Sequence, residues 1–158
     1  MIKRANQKKK KGFSLIELII VLAVMAIIAL IAIPNFNAVR ENSKTKADAR
    51  SCETIERTMM MLFADETLMG SGVITYNGTA TSTSVATTIK TKDDVVANNN
   101  LAVEKVKEAL KDVNAPQGKT KDTVNTSTGT FTSGDEGKAA KFAVVVSATG
   151  DITVKTSK

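Results

Sequence analysis

An unbroken run of 16 apolar residues, from Leu18 to Ile33, constrains this chain more than any other feature of its sequence. With Phe13–Glu17, which precede it, the run forms a segment of 21 residues. As a helix this segment would be about 31 Å long, close to the hydrocarbon thickness of a bilayer. Its apolar residues surround the helix on all sides, as contact with lipid or with a fully apolar protein interior requires. The segment therefore predicts a helix that spans a membrane or is enclosed by other apolar helices.

The positive charge of the chain is concentrated ahead of this segment. The 158 residues include 22 Lys and Arg against 16 Asp and Glu, a net charge of +6. Six of the cations and none of the acids fall within the first 12 residues, so the rest of the chain is formally neutral. A nucleic-acid-binding protein spreads its cations over a folded surface, whereas a basic tail before an apolar helix predicts a cytoplasmic N-terminus and an exported C-terminus. We therefore expect a single-pass protein of the cytoplasmic (inner) membrane with no direct nucleic-acid partner.

The composition also excludes most catalytic chemistry. The chain has no His and a single Cys, Cys52. It therefore lacks an imidazole base, a Cys-His nucleophile pair and any multi-thiolate metal site. The sequence predicts no enzyme, and no catalytic, cofactor-binding or metal-ligating residues.

Three interpretations of the N-terminal segment compete. A secretory signal would be cut after the apolar run, but the run is followed by Pro34-Asn35-Phe36 and the nearest Ala-x-Ala comes only at residues 47–49. A plain membrane anchor explains everything except Glu17, because an ionisable group inside an apolar helix is costly and usually functional. In the third interpretation the chain is cut between Gly12 and Phe13, ahead of the run, and the apolar helix is kept.

Glu17 favours the third interpretation. Cleavage after Gly12 would give Phe13 a free α-amine four residues before Glu17, on the same helix face. At an effective dielectric constant near 20, such an ammonium–carboxylate pair about 4 Å apart gains roughly 4 kcal/mol before desolvation is counted. The amine can belong to the same chain or to a neighbouring copy. In the second case Glu17 would set the register between identical helices.

The residues Gly12-Phe13-Ser14-Leu15-Ile16-Glu17, with a Lys-rich leader before them and an apolar run after them, resemble the processing motif of type IV pilins and their pseudopilin relatives. The resemblance implies that a prepilin peptidase cuts after Gly12 and N-methylates the new N-terminal Phe13. It implies that Glu17 directs filament assembly and that Pro34 kinks the helix. Many members of the family close a C-terminal loop with a disulfide, which a single cysteine forbids here.

The resemblance also implies a function and a set of partners. The chain would be a structural subunit of a type IV pilus, a fimbrium that serves cell adhesion or motility. Its partners would be other copies of itself in a helical homopolymer, the prepilin peptidase, the pilus assembly machinery, minor pilins and the cytoplasmic membrane. The precursor would lie in that membrane and the mature subunit in an extracellular filament at the cell surface. Two alternatives stay open: a pseudopilin of a type II secretion or DNA-uptake system, and a monomeric membrane-anchored binding domain.

Beyond the apolar run, the sequence predicts that the helix continues to about Asp65 with an interruption near Pro34. Apolar residues recur there at helical spacing opposite a charged face, which is the amphipathic pattern. These residues are Ala49, Cys52, Ile55, Met59, Leu62 and Phe63. Because Cys52 lies in this stripe, we expect it to be a small buried hydrophobic side chain rather than a reactive thiol.

The C-terminal part predicts a small head. Residues 71–91 are rich in Ser and Thr and predict a surface loop with weak strands around 73–76 and 85–90. A helix capped by Asn100 is expected at about 100–113, with Val103, Val106, Leu110 and Val113 buried. Alternation within 141–148 predicts a strand that turns at 149–151 into a second one, and residues 130–132 add a third strand through a turn at 133–137.

The expected fold is therefore α+β and pilin-like. A long N-terminal helix, with a membrane-spanning half and an amphipathic half, packs its Ile55–Phe63 stripe on a small antiparallel C-terminal sheet. The expected divisions are a basic leader at 1–12, an apolar helix at 13–34, an amphipathic continuation at 35–66 and a globular head at 67–158.

Overall fold

A computed structural model describes residues 12–78, 83–86, 88–93 and 100–158, without the side chains of 33–35. The predicted leader, apart from Gly12, and part of the strand predicted at 85–90 lie outside the described residues. The chain divides into two compact units, residues 1–39 and 40–158.

The first unit is dominated by the start of helix α1, which extends from Leu15 to Ala64. Its stretch Leu15–Ala32 is long and apolar enough to cross a membrane, and none of it is buried within the protein. Helical backbone continues through Pro34, so the predicted interruption there is wrong. A proline removes one backbone N–H from the helix, and the hydrogen bonds of the surrounding turns are enough to keep the segment helical. The kink at Pro34 stays a prediction.

The amphipathic stripe of α1 forms one side of the core in the second unit. Ile55 and Met59 are fully buried, and Cys52, Leu62 and Phe63 are partly buried against the same cluster. Ala49 is exposed, so the predicted start of the stripe is wrong; its first buried residue is Asp48. Asp48 precedes Cys52 by four residues and therefore lies on the same helix face.

The second helix, α2, covers Asn100–Ala109 and packs on the same core. Of the four residues predicted to be buried, Val106 and Leu110 are fully buried, whereas Val103 and Val113 are only partly buried. Ala102, which was not predicted, is fully buried as well. The helix ends about four residues earlier than predicted, because the chain turns between Leu110 and Val113. The hydroxyl of Tyr76 lies 2.9 Å from the carbonyl oxygens of both residues, so this end of the helix is satisfied by a side chain.

Four strands form an antiparallel sheet in the order β2-β1-β5-β6. The strands are β1 (Gly72–Tyr76), β2 (Ser84–Val85), β5 (Lys141–Val146) and β6 (Ile152–Ser157). The predicted hairpin of β5 and β6 is confirmed, with Val144 opposite Val154. The strand predicted around 73–76 is confirmed as β1, but the expected position of this segment in a surface loop is wrong. This strand lies inside the sheet and its residues from Val73 to Tyr76 are buried.

Two further strands, β3 (Lys119–Asn125) and β4 (Thr130–Lys138), form a separate two-stranded sheet. This hairpin covers the sheet face opposite the helices, where Val124 is buried with Val73 and Ala143. The third strand is therefore longer than predicted and does not join β5 and β6. The turn predicted at 133–137 is wrong: three residues of β4, 134–136, lie opposite Lys121 alone and form an irregularity within the strand.

The architecture is α+β, as predicted: an N-terminal apolar helix, its amphipathic continuation, a second helix and small antiparallel sheets. In the second unit, helices cover one face of the four-stranded sheet through Ile74, Phe142 and Val144, and the β3–β4 hairpin covers the other. The core therefore extends across both faces of the sheet, with β1 and β5 at its centre.

Candidate processing and assembly site

The predicted cleavage site precedes the first turn of α1. Gly12 and Phe13 are non-helical and exposed, and 90% of the Phe13 surface is accessible. A Cβ atom added to Gly12 would meet no heavy atom within 4 Å, and the residue does not adopt a left-handed conformation. Neither packing nor backbone strain within this chain therefore requires glycine at position 12. If glycine is needed there, the requirement comes from the enzyme that binds the segment.

Glu17 caps its own helix. The backbone N–H of Ser14 donates to Oε2 of Glu17 at 2.9 Å, and the N–H groups of Glu17 and Leu18 donate to the Ser14 carbonyl at 3.1 and 3.3 Å. This is the carboxylate half of a capping box, in which Glu three residues after Ser accepts a hydrogen bond from the backbone of that Ser. The sequence carries this signal as Ser14-x-x-Glu17, and the sequence analysis missed it.

The cap changes the argument about Glu17. An uncleaved anchor also gains from this carboxylate, because it satisfies one of the backbone donors that a helix leaves unpaired at its start. The carboxylate keeps further acceptor capacity, since its two oxygens offer about four lone pairs. One bond to Ser14 therefore leaves room for an ammonium group, so capping and pairing with an α-amine are compatible.

The apolar side chains around Glu17 are not covered by this chain. Leu15, Ile16 and Leu18 expose 74%, 64% and 59% of their surface. Because such a surface is unstable in water, it needs lipid or other apolar helices around it. Glu17 therefore lies in an apolar segment that must be covered by lipid or by other chains.

Asp48 on α1 is the buried carboxylate that the sequence analysis missed. Only 5% of it is exposed. It accepts hydrogen bonds from the backbone N–H of Gln117 at 2.9 and 3.1 Å and from that of Gly118 at 2.7 Å. A side chain at Gly118 would meet the Thr45 backbone at 2.9 Å, so glycine allows this close approach. Asp48 thereby fastens the segment before β3 to the helix.

The position of Cys52 agrees with its expected role as a small packed side chain. The thiol is half-buried against the core. Burial and, to a smaller extent, the carboxylates of Asp48 and Glu56 together raise the pKa of Cys52 to about 11. The protonated form therefore dominates at neutral pH, and this form is a poor nucleophile.

A groove of about 570 Å³ lies between the start of β1, the β3–β4 turn and the end of β5. Its lining consists of Ser, Thr, Gly, Ala and Val side chains without a titratable group. Among the described residues, no three His, Cys, Asp or Glu side chains come together as a metal site would require. This groove can therefore form hydrogen bonds, but none of the described side chains that line it is charged.

The family model described as the prokaryotic N-terminal methylation motif matches residues 7–33, which contain the exposed Gly12–Phe13 bond and the Glu17 cap. This motif indicates a type IV pilin-like N-terminal segment, and the match does not extend to the rest of the chain. A relative from Clostridium perfringens (strain 13 / Type A), named prepilin peptidase-dependent protein A, is 38% identical over 63 residues. The match covers 40% of this chain and 45% of the relative, so the chain spans less than half of that protein's length. No solved structure matches the chain significantly.

The motif and the relative agree with the geometry of the N-terminus. The type IV pilin-like chain has a membrane-anchored precursor, because the matched motif, residues 7–33, includes the apolar stretch Leu15–Ala32. The family consists of structural, pilin-type proteins.

Proposed function

We propose that this chain is a structural subunit of a type IV pilus, cut after Gly12, N-methylated at Phe13 and polymerised through its apolar helix. One observation carries the proposal: an apolar helix that this chain leaves uncovered, Leu15–Ala32, begins with a single carboxylate at Glu17. Lipid covers such a helix in the precursor, and other copies of the same helix cover it in a filament.

The filament forms by repetition of one contact between non-equivalent surfaces. Such a heterologous contact generates an open helical polymer when the rotation does not close. Glu17 accepts the α-ammonium of Phe13 from a neighbouring copy and so sets the axial step between subunits. An isolated carboxylate among apolar helices is costly, and pairing with a cation removes much of that cost. Out-of-register helices leave both charges unpaired and are therefore disfavoured.

The remaining partners act before and during assembly. The prepilin peptidase removes the leader and methylates Phe13, and the assembly machinery with its minor pilins moves the subunit from the cytoplasmic membrane into the extracellular filament. The head, residues 67–158, packs on the lower part of α1 and forms the surface of the filament. Adhesion, motility, aggregation and DNA uptake are all compatible with such a filament.

The proposal is tested by the mature N-terminus and by the filament. We expect mass analysis of the protein purified from its host to show a chain that begins with N-methylated Phe13, and electron microscopy to show surface filaments that contain it. Processed chains without surface filaments would indicate a pseudopilin instead. A chain that retains Met1, or that begins beyond Pro34, would contradict the proposal and support a membrane-anchored binding domain or a cleaved secretory signal.

A further inference from the structure

The second unit is electrically polar along α1, although the chain beyond Gly12 is formally neutral. Four short segments meet at one end of the unit. Gly118 lies against Thr45 of α1, the N–H of Ala139 donates to the Gly118 carbonyl at 3.0 Å, and that of Ala140 donates to the Ser157 carbonyl at 2.9 Å. We call this region the basic end; it comprises residues 40–48, 119–121, 135–141 and 158.

The basic end holds eight cations and four carboxylates, a net charge of +4, while the rest of the unit holds eight cations and eleven carboxylates. The charges therefore separate in the folded unit although they balance along the chain. The cations of the basic end are Arg40, Lys44, Lys46, Lys119, Lys121, Lys138, Lys141 and Lys158.

Most of these cations are not neutralised within the chain. Lys44 pairs with Glu41 at 3.0 Å and Lys119 with Glu136 at 3.6 Å. In the part of the chain that the structure describes, the other six form no ion pair. The pKa of the Glu41 carboxyl is lowered, first by its hydrogen bond with Lys44 and then by the charges of Lys44, Lys119 and Arg40. The region thus has a positive local potential.

One contact is unfavourable for the isolated fold. Lys119 of β3 lies directly opposite Lys138 of β4. Like charges at opposite positions of neighbouring strands repel each other. Glu136 pairs with Lys119 in this hairpin, whereas Lys138 forms no ion pair among the described residues, so its charge is available to an anionic surface.

The chain enters the head at the basic end. Arg40 is the first residue of the second unit and follows Ala32, the end of the apolar segment, by eight residues. Any leaflet that contains anionic phospholipids attracts cations close to a membrane-spanning segment, on the exported side as well, and the attraction acts over about one Debye length. Flexible lysine side chains bearing compact ammonium groups suit a surface of many mobile phosphates.

We propose that the basic end docks the head on anionic phospholipid headgroups while the apolar helix is in the membrane. The docked state holds the head of the stored precursor against the bilayer, and assembly has to release it. This inference requires the membrane-anchored precursor only and does not depend on filament formation.

The test uses the full chain in vesicles of phosphatidylcholine alone or of phosphatidylcholine mixed with phosphatidylglycerol. An impermeant amine-acylating reagent is added, and modification of each lysine is measured by mass spectrometry. We expect Lys121, Lys138 and Lys141 to be protected in the vesicles with phosphatidylglycerol only, and high salt to remove the protection. Lys92 and Lys105, which lie near Asp65 and Glu66 at the other end of α1, should react equally in both.

Matched variants test whether the positive charge of the basic end is responsible for the protection of these lysines. Each cation near an anionic membrane changes the docked-to-undocked ratio by about fivefold, so the triple variant K121Q/K138Q/K141Q should lower it on the order of a hundredfold. Lys119 then reacts equally in both vesicle types. The control variant K90Q/K92Q/K105Q removes the same charge elsewhere, and we expect it to retain the protection.

Three results would overturn the proposal. Equal protection in neutral and anionic vesicles would show that packing against lipid, not charge, covers these lysines. Protection that appears in neutral vesicles only after addition of soluble polyphosphate or DNA, and never with phosphatidylglycerol, would assign the surface to another polyanion. Protection that depends on the protein-to-lipid ratio would assign it to a second copy of the chain.

Discussion

Different physical constraints act on the individual residues at the N-terminus of α1. The described fold leaves open space around Gly12 and would accept a side chain, so packing within the chain does not require glycine there. Glu17 already has a partner in its own chain, the N–H of Ser14. Substitutions of Glu17 that keep or remove this hydrogen bond can therefore distinguish its role in capping the helix from its role in assembly.

We predict that Gly12→Ala prevents cleavage without disturbing the precursor. A Cβ atom at this position has open space and needs no unusual backbone conformation, so folding and membrane insertion should be unchanged. Mass analysis of the membrane-bound protein should show the uncut chain. The Gly134→Ala variant, at a position that is equally open, is the control and should be processed normally. Normal cleavage of the Gly12→Ala chain would contradict the assignment of the cut site.

We predict that Glu17→Gln keeps the cap and loses assembly. The amide oxygen of Gln still accepts the Ser14 N–H, as in capping boxes with Gln, but carries no charge for an ammonium partner. Processing should continue, and filaments should be absent by electron microscopy. The Glu17→Val variant should lose the cap as well, which hydrogen exchange at the Ser14 amide would detect. Normal filaments from the Glu17→Gln chain would show that charge pairing does not set the register.

We predict that Cys52 reacts slowly with thiol reagents at neutral pH. Its pKa of about 11 keeps the folded thiol protonated, and the labelling rate should rise as the pH approaches that value. Since the pKa is raised on folding, protonation of Cys52 stabilises the fold below about pH 8.5, the pKa of a free thiol, and this contribution is lost towards pH 11. Unfolding in urea should restore fast labelling at pH 8. Equal rates in the folded and unfolded chain would show that the thiol is not shielded.

At the scale of elements, α1 serves two environments along one helix. Its N-terminal part is apolar all round, and its C-terminal part is amphipathic and forms one wall of the core. The buried stripe begins with a carboxylate, Asp48, which binds backbone groups 69 and 70 residues away. This contact fixes the start of β3 against α1 in a chain that cannot form an internal disulfide.

We predict that Asp48→Ala lowers the free energy of unfolding by about 1–3 kcal/mol, because the N–H groups of Gln117 and Gly118 lose their acceptor. Asp48→Asn should cost less, since its amide oxygen can still accept one of these bonds. Glu53→Ala, at an exposed position of the same helix, should change stability by less than about 0.5 kcal/mol. Urea unfolding of the full chain in detergent measures all three. Equal stability of the Asp48→Ala chain and the unsubstituted chain would contradict the role of Asp48.

At the scale of the whole molecule, the hydrophobic core and the apolar helix are separate. Every residue of the two core clusters lies within the second unit, from Cys52 to Val154. The first unit contributes exposed apolar surface, including Phe36 and Val39. Stability of the head therefore should not depend on the segment that enters the membrane.

We predict that a fragment beginning at Arg40 folds by itself and is soluble without detergent. Its core is complete, and it leaves out the exposed apolar residues of Leu15–Val39. Its urea midpoint should agree with that of the full chain in detergent, and its elution volume should be that of a monomer. A fragment that stays unfolded until the N-terminal helix is restored would contradict the separation of core and membrane segment.

The motif at Gly12–Glu17 and the apolar run could be recognised without the fold, because their residues are adjacent in the chain. The helical backbone through Pro34 and the bond between Ser14 and Glu17 were not predicted. The α1 and α2 stripes and the β5–β6 hairpin were also predictable, because helical and strand periodicity are local properties.

Features that depend on residues far apart in the chain became apparent only in the folded molecule. The sequence did not predict the burial of β1, because Ser and Thr residues surround this strand in the chain. In the fold, β2 and β5 lie on its two sides, and the helices and the β3–β4 hairpin cover its two faces. The Asp48 contact joins residues about 70 positions apart. The basic end brings together cations from four segments of the chain. Cations and carboxylates are balanced along the chain, and they become separated when the chain folds. Sequence patterns show local periodicity. The burial of a residue and the electric potential around it depend on all residues that are close in space, including those far away in the chain.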